Sequence, residues 1–223
     1  MRVVVTGASR GIGEASARKY LSLGHEVHGI DIRPASIDDP RYFHHIADIR
    51  NARTLPGIDG VGVLFNNAGV QQGGADIETN LVGAINVTEK YIRHNNSLRS
   101  ILFNASASSV SGQEFPHYVA SKAGLVGYMR NVAIRLAPRG VTCNAISLGG
   151  VLTDSNDLVM RNKALWNAIM KVTPMKKWTT LDEVSEWVAF LTLVNRSMSG
   201  QNLLIDNGEM QLNPTFVWPG YGE

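Results

Sequence analysis

The chain has 223 residues, 44% of them hydrophobic and 18% charged, enough for one α/β domain whose core needs no disulfide or structural metal. Cys143 is the single cysteine, which excludes an intrachain disulfide framework. With 21 basic and 19 acidic side chains the net charge is +2, too small a field to attract nucleic acid in general.

No stretch approaches the roughly 18 apolar residues of a membrane-spanning helix. Apolar residues begin directly after Met1-Arg2, without the layout of a secretory leader, so a cytoplasmic location is expected. Residues 3–5 read as a buried strand and 12–23 as a helix. Strands are expected at 26–30, 42–46 and 62–65, followed by a helix over 78–93 and a strand at 101–104. A helix over 118–136 leads into a strand at 141–146. Thr180-Leu181-Asp182-Glu183 is a capping box opening a helix that reaches about residue 193, and 203–205 supplies a last strand. Short buried strands alternating with helices predict a doubly wound parallel sheet with helices on both faces. This is a Rossmann-type, three-layer α/β/α fold in a single domain over residues 1–223. Ligands of such sheets lie beyond the carboxyl ends of the strands.

The 22 glycines exceed the ordinary share of about 7%, and three of them fall in Thr6-Gly-Ala-Ser-Arg-Gly-Ile-Gly13, between the first strand and helix. Gly7, Gly11 and Gly13 suit a tight turn, close backbone approach to a pyrophosphate, and close packing of helix on strand. The free amides at the helix start would then face the phosphates. Asp31 closes the second strand, eighteen residues beyond Gly13. A carboxylate there accepts hydrogen bonds from the adenosine ribose and repels a 2′-phosphate, so NAD is expected. NADP is the runner-up, because Arg10 and Arg33 are near enough in sequence to approach a phosphate. Asp48 suits either the adenine edge or an ordinary strand-end cap. Asn66-Asn67-Ala68-Gly69 ends the fourth strand with amides that can fix a loop and small residues that admit a flat cofactor.

Tyr118 and Lys122 stand at i and i+4 in Tyr-Val-Ala-Ser-Lys and share one helix face. A lysine cation beside a phenol favours the phenolate, a route for a proton to move as hydride passes to or from a nicotinamide. Ser106 is placed by the end of the preceding strand, with Ser108, Ser109 and Ser111 as neighbours. Asn80 lies early in the expected 78–93 helix, either to hold a water or as a capping or packing amide. His25, His28, His44, His45, His94 and His117 lack the spacing of a metal site, so no metal is expected. Cys143, in an apolar strand, reads as core.

These segments in order resemble the classical short-chain dehydrogenase/reductase family over about residues 2–208. The matches are the Thr6–Gly13 turn, Asp48, Asn66-Asn67-Ala68-Gly69, Asn80, the Ser106 region, Tyr118-Val119-Ala120-Ser121-Lys122, Asn144 with the segment to Thr153, and Gly200-Gln201 before Ile205-Asp206-Asn207-Gly208. The resemblance implies Tyr118 as general acid/base and Lys122 as its electrostatic partner and a ligand of the nicotinamide ribose. It implies Ser106 as the group polarising the reacting oxygen and Asn80 as support for a proton-relay water. The cofactor would be held by the turn residues Gly7, Ser9, Arg10, Gly11, Ile12 and Gly13, by Asp31 and Asp48, by Asn67, Ala68 and Gly69, and by Gly149 and Thr153 beside Tyr118 and Lys122. Ser106 precedes Tyr118 by twelve residues, one fewer than is most common in the family, and counting from Ser109-Val110-Ser111-Gly112 would nominate Ser109 instead.

The chain departs from the family in two places. Only fourteen positions separate Asn66 from Asn80, and the interval from Asp48 to Asn66 is also lean, so a helix there is expected to shrink to a turn. Leu148 precedes Gly149 where a proline is usual, which removes a fixed φ and predicts a looser cofactor loop. Residues 154–177 read as a substrate lid and 209–223 as a C-terminal tail. Phe216, Trp218 and Tyr221 in that tail suit a contact within a homodimer or homotetramer. The expected activity is hydride transfer between NAD and a secondary alcohol or ketone. The alternatives are an NADPH-dependent ketone or 3-oxoacyl-carrier reductase, and a catalytically weak dinucleotide-binding regulatory or structural protein. A small-molecule substrate is expected, with neither nucleic acid nor membrane as a partner.

Overall fold

The computed structural model describes residues 1–93, 95–113, 115–210 and 212. Strands β1 (Arg2–Thr6), β2 (Glu26–Asp31), β3 (Tyr42–Ile46), β4 (Val61–Asn66), β5 (Ser100–Asn104), β6 (Thr142–Leu148) and β7 (Asn202–Ile205) form one sheet in the order β3-β2-β1-β4-β5-β6-β7. Every neighbouring pair is parallel. The chain winds outward from β1 to β3, then returns to the far side of β1 as β4. That reversal leaves a crevice at the carboxyl ends of β1 and β4, where a doubly wound sheet receives its ligand.

The strands read as continuous apolar runs because both faces are covered. Alternate residues divide between two cores. Val4, Leu64, Ile101, Phe103 and Cys143 face a cluster with Val87 and Tyr91 of α2 (Ala84–Ile92) and Leu125, Met129 and Val132 of α4 (Pro116–Leu136). Val3, Val5, Val63, Phe65, Leu102 and Ile146 face the other, with Ala17 and Tyr20 of α1 (Gly11–Ser22) and Val184 and Val188 of α7 (Leu181–Ala189). Cys143 is buried in the first of these cores, its Sγ set on the Met129 carbonyl, and burial pushes its thiol pKa far above the ordinary range. The capping box of α7 forms as expected: Thr180 Oγ1 accepts from the Glu183 amide while the Glu183 carboxylate accepts from the Thr180 amide.

Several elements differ from the sequence expectation. The segment expected as one helix over 78–93 is a π-helical turn, Ile77–Gly83, followed by α2. The wider turn lies where Gly83 presses on Ile49, so closely that a Cβ there would sit 2.7 Å from the Ile49 side chain. The helix expected to reach residue 193 stops at Ala189 and continues as a π-helical turn, Phe190–Val194. Its Thr192 hydroxyl bonds back to the Val188 carbonyl and meets the buried Tyr20 hydroxyl at 2.8 Å. Between β3 and β4 the described residues form turns and no helix, as the lean spacing predicted.

The segment after Leu148 is held rather than loosened. Leu148 extends β6 in register with Ile205, its carbonyl accepts from the Ala107 amide, and the Gly149 amide donates to the Ile205 carbonyl. The next residues are pinned by a bridge between Val151 and Thr179. A short α3 (Ser108–Ser111) precedes α4. The expected lid carries α5 (Asp157–Arg161) and α6 (Lys163–Val172), the latter capped by the Asn162 side chain. Among the described residues no helix is long and apolar enough to cross a membrane. The tail aromatics Phe216, Trp218 and Tyr221, together with His94, lie outside the described residues.

Candidate active site

The glycine turn has the shape its spacing predicted. Gly7 and Gly11 take positive φ, +67° and +55°, which a side chain adopts only with strain. A Cβ on Gly7 would lie 2.8 Å from Ala68 Cα, and one on Gly13 would lie 2.0 Å from the Gly7 carbonyl oxygen. Gly11 is the opposite case: among the described residues nothing stands within 4 Å of a Cβ placed there. Two glycines therefore let backbone meet backbone, and the third borders open space at the start of α1, where helix amides favour an anion.

This turn is locked to the strands beside it. Thr6 Oγ1 accepts from the amides of Asn67 and Ala68, at 2.9 and 3.0 Å. Asn67 Nδ2 donates to the Thr6 and Gly7 carbonyls, and Asn67 Oδ1 accepts from Asn104 Nδ2 at 2.9 Å. One asparagine thus ties together the ends of β1, β4 and β5. Thr6 is a site residue that motif reading missed, although its place immediately before Gly7 was the available signal.

Asp31 sits at the end of β2 beside the turn. Its Oδ2 accepts from the Ser9 amide and its Oδ1 from the Arg33 amide, both at 3.0 Å. Ser9 Oγ in turn donates to the Arg33 carbonyl at 3.4 Å. Arg10 and Arg33 are exposed. Asp48 is engaged by its neighbour: the Arg50 guanidinium and amide donate to its carboxylate, and these bonds hold its pKa below the usual range. An adenine amine would have to share Asp48 with Arg50.

Tyr118 and Lys122 face each other on α4, with Lys122 Nζ 5.7 Å from the Tyr118 ring centroid. Lys122 is buried, at 4% exposure, and its ammonium donates to the Asn104 carbonyl at the end of β5, 2.7 Å away. The strand end therefore aims the lysine. Asn80 Oδ1 accepts from the Val70 amide at 2.8 Å, while its Nδ2 donates to the Val70 carbonyl and to Ser121 Oγ, each at 2.9 Å. Both amide hydrogens are thereby used, which makes Asn80 a clasp joining the loop after β4 to α4. Ser121, inside the Tyr-Val-Ala-Ser-Lys run, passes the contact on to the Tyr118 carbonyl at 2.7 Å. A Cβ on Gly69 would lie 3.0 Å from Asn80 Oδ1 and 3.4 Å from Lys122 Nζ, so Gly69, Asn80 and Lys122 share one small volume.

The serines separate by their partners. Ser109 Oγ pairs with Ser147 Oγ at 3.2 Å, and Ser147 donates on to Asn202 Oδ1 at 2.7 Å, which commits Ser109 towards β6 and β7. Ser106 Oγ accepts from the Ser108 amide at 3.2 Å, an arrangement that leaves its own hydrogen for another acceptor. Ser108 is fully buried. Beyond β6, Gly149 packs on Asp206 and Gly150 on the Trp178 indole, where a Cβ would lie 2.7 and 2.0 Å from those side chains. Trp178 meets Trp166 of α6 edge to face, with centroids 5.2 Å apart. Thr153 opens the short turn before α5. Among the described residues no cluster of His, Cys, Asp and Glu forms a metal site, and His117 is exposed.

A protein-family model described as enoyl-(acyl carrier protein) reductase matches residues 58–209. (+)-Borneol dehydrogenase 1 of Salvia officinalis is 31% identical over 249 residues, covering 95% of this chain and 94% of its own. The chain belongs to the short-chain dehydrogenase/reductase family. A 3-oxoacyl-[acyl-carrier-protein] reductase of Synechocystis is 28% identical over 239 residues, with 92% of this chain and 95% of that protein covered. Among solved structures, 4-hydroxyisoleucine dehydrogenase complexed with NADH superposes with a TM-score of 0.85 at 21% identity, over 95% of this chain and 99% of that one. As a member of the short-chain dehydrogenase/reductase family the chain is an NAD(P)-dependent oxidoreductase acting on a small molecule. The open Gly11 face, the α1 amides and the Asp31 carboxylate fit such a dinucleotide.

Proposed function

We propose that this short-chain dehydrogenase/reductase interconverts a secondary alcohol and a ketone with NAD, using Tyr118 as the proton-transfer residue. The observation that carries the reading is the Tyr118–Lys122 pair, with a buried ammonium aimed by Asn104 and set against the phenol ring. When bound, the dinucleotide supplies the hydride acceptor or donor. Tyr118 Oη takes the hydroxyl proton in the oxidative direction and returns it in the reductive one. The Lys122 charge stabilises the oxyanion formed at Tyr118, an effect strengthened by its removal from water. Ser106 donates its free hydrogen to the reacting oxygen, and Asn80 holds the Val70 loop and α4 at fixed spacing. Gly7–Gly13 receive the pyrophosphate, with Ser9, Arg10 and Ile12 in the turn. Asn67, Ala68, Gly69, Gly149 and Thr153 border the nicotinamide end.

The preference for NAD rests on Asp31, whose carboxylate stands beside the Ser9 amide and repels a 2′-phosphate. Residues 154–177, which carry α5 and α6, serve as the lid, and the chain assembles as a homodimer or homotetramer. The test is Tyr118→Phe, followed by NADH absorbance over a panel of secondary alcohols and ketones. Turnover should fall by about a thousandfold while NAD binding stays measurable. A loss of under about tenfold removes Tyr118 from the proton-transfer role.

A further inference from the structure

Resting on the NAD reading above, we propose that His44 is a specificity-determining residue that acts through the Arg33 backbone to fix the Asp31 carboxylate and so set the preference between the two dinucleotides. His44 lies on β3, one strand beyond Asp31. Its Nε2 is 2.8 Å from the Arg33 carbonyl oxygen and its Nδ1 is 3.0 Å from the Tyr42 hydroxyl. A carbonyl only accepts, so the proton of the neutral ring is on Nε2, and Nδ1 accepts from Tyr42. The Tyr42 hydroxyl is itself seated by sequence: Gly29 lies under it, and a Cβ there would come within 2.0 Å of the oxygen. Burial, and then the negative charge of Asp31, push the Tyr42 pKa up to about 12, so the hydroxyl keeps its hydrogen at neutral pH.

The bond to Arg33 closes a small ring around Asp31. The Arg33 carbonyl accepts from His44 and Ser9, the Arg33 amide donates to Asp31 Oδ1, and the Ser9 amide donates to Asp31 Oδ2. Held this way, Asp31 presents its carboxylate at the edge of the glycine turn, and the exposed Arg33 guanidinium is anchored by its own backbone. Without His44 the Arg33 carbonyl keeps, among the described residues, the long 3.4 Å contact from Ser9. The 31–33 turn can then open, which weakens the grip on a ribose hydroxyl and frees Arg33 to meet a 2′-phosphate.

The experiment measures NAD and NADP dissociation constants by calorimetry for the unaltered chain, His44→Ala and His44→Gln, with turnover at saturating cofactor. His44→Ala should weaken NAD by about fivefold or more, the scale of one lost hydrogen bond. NADP should weaken less or bind better, and turnover at saturation should stay within about twofold. His44→Gln, whose amide can donate to the same carbonyl, should recover most of the preference. If His44→Ala does not fold, His44→Phe retains a ring and carries the same expectation. An unchanged ratio of the two constants, or equal losses for both cofactors, overturns the proposal. An unaltered chain that prefers NADP refutes the NAD reading alone, because the shift of that ratio on removing His44 still tests the clamp.

Discussion

Two alanine substitutions in the glycine turn should separate packing from ligand approach. In Gly13→Ala the new methyl would stand 2.0 Å from the Gly7 carbonyl oxygen and 2.5 Å from Asn67 Nδ2, where contacts under 3.0 Å essentially never occur. The Gly7 backbone or α1 has to retreat by about 1 Å, and neither is a flexible side-chain end. The movement strains the Asn67 bonds to the Thr6 and Gly7 carbonyls, now 3.0 and 3.3 Å. Overpacking of about 1–3 kcal/mol, together with about 1 kcal/mol for a weakened hydrogen bond, gives a destabilisation of about 2–4 kcal/mol. In Gly11→Ala nothing among the described residues is within 4 Å of the methyl, and the intramolecular penalty is the positive φ of 55°. That costs about 1–2 kcal/mol. The methyl does, however, project into the space assigned to the pyrophosphate. Urea unfolding should therefore rank Gly13→Ala as the less stable protein. Calorimetric titration of the folded Gly11→Ala protein should show NAD affinity reduced by more than about tenfold, on the scale of 1.4 kcal/mol per decade. A Gly11→Ala protein that binds NAD normally would refute the cradle. A Gly13→Ala protein as stable as the unaltered chain would refute the packing argument.

The serine assignment predicts a larger loss of turnover for Ser106→Ala than for Ser109→Ala, because Ser109 is already paired with Ser147; the reverse order in steady-state kinetics would transfer the role to Ser109. The α7 cap predicts an acid-sensitive contribution to stability. Bonds from Lys177 first, then from the Thr180 amide, hold the Glu183 pKa at about 2 against an ordinary 4.5. A depressed carboxylate stabilises the fold above its unfolded pKa and loses that contribution as pH falls towards the folded one. The gap in melting temperature between the unaltered chain and Glu183→Gln should accordingly be full at pH 6 and shrink between about pH 4.5 and 2. Because the Glu183 side chain is 41% exposed, the gap should be small and should narrow further in salt. A gap that widens on acidification would contradict this assignment.

Features carried by local spacing were legible in the sequence, and those made by contacts across the sheet were not. Gly7, Gly11 and Gly13 sit within one turn, so their spacing marks the turn and the Gly13–Gly7 contact, whereas the Ala68 backbone that Gly7 meets comes from the loop after β4. Tyr118 and Lys122 sit one helical turn apart, and the i, i+4 rule puts them on one face. Nothing near Lys122 in the chain, however, shows that its ammonium bonds the Asn104 carbonyl, since that meeting depends on the β5 end and α4 packing together. The choice between Ser106 and Ser109 has the same origin: the partners that commit Ser109 are Ser147 on β6 and Asn202 at the start of β7.

Asn80 illustrates the point most fully. Its motif position was readable, but the helical pattern around it conceals a π-helical turn. The short 70–76 segment leaves Val70 free to return to Asn80, where the amide bonds both its N–H and its carbonyl. The same side chain reaches Ser121 on α4. The missing residues before Asn80 thus do not leave Lys122 unsupported. A shorter loop is clasped at Val70 and tied to α4 by one asparagine, and Gly69, with no side chain to separate them, lets that clasp and Lys122 approach each other.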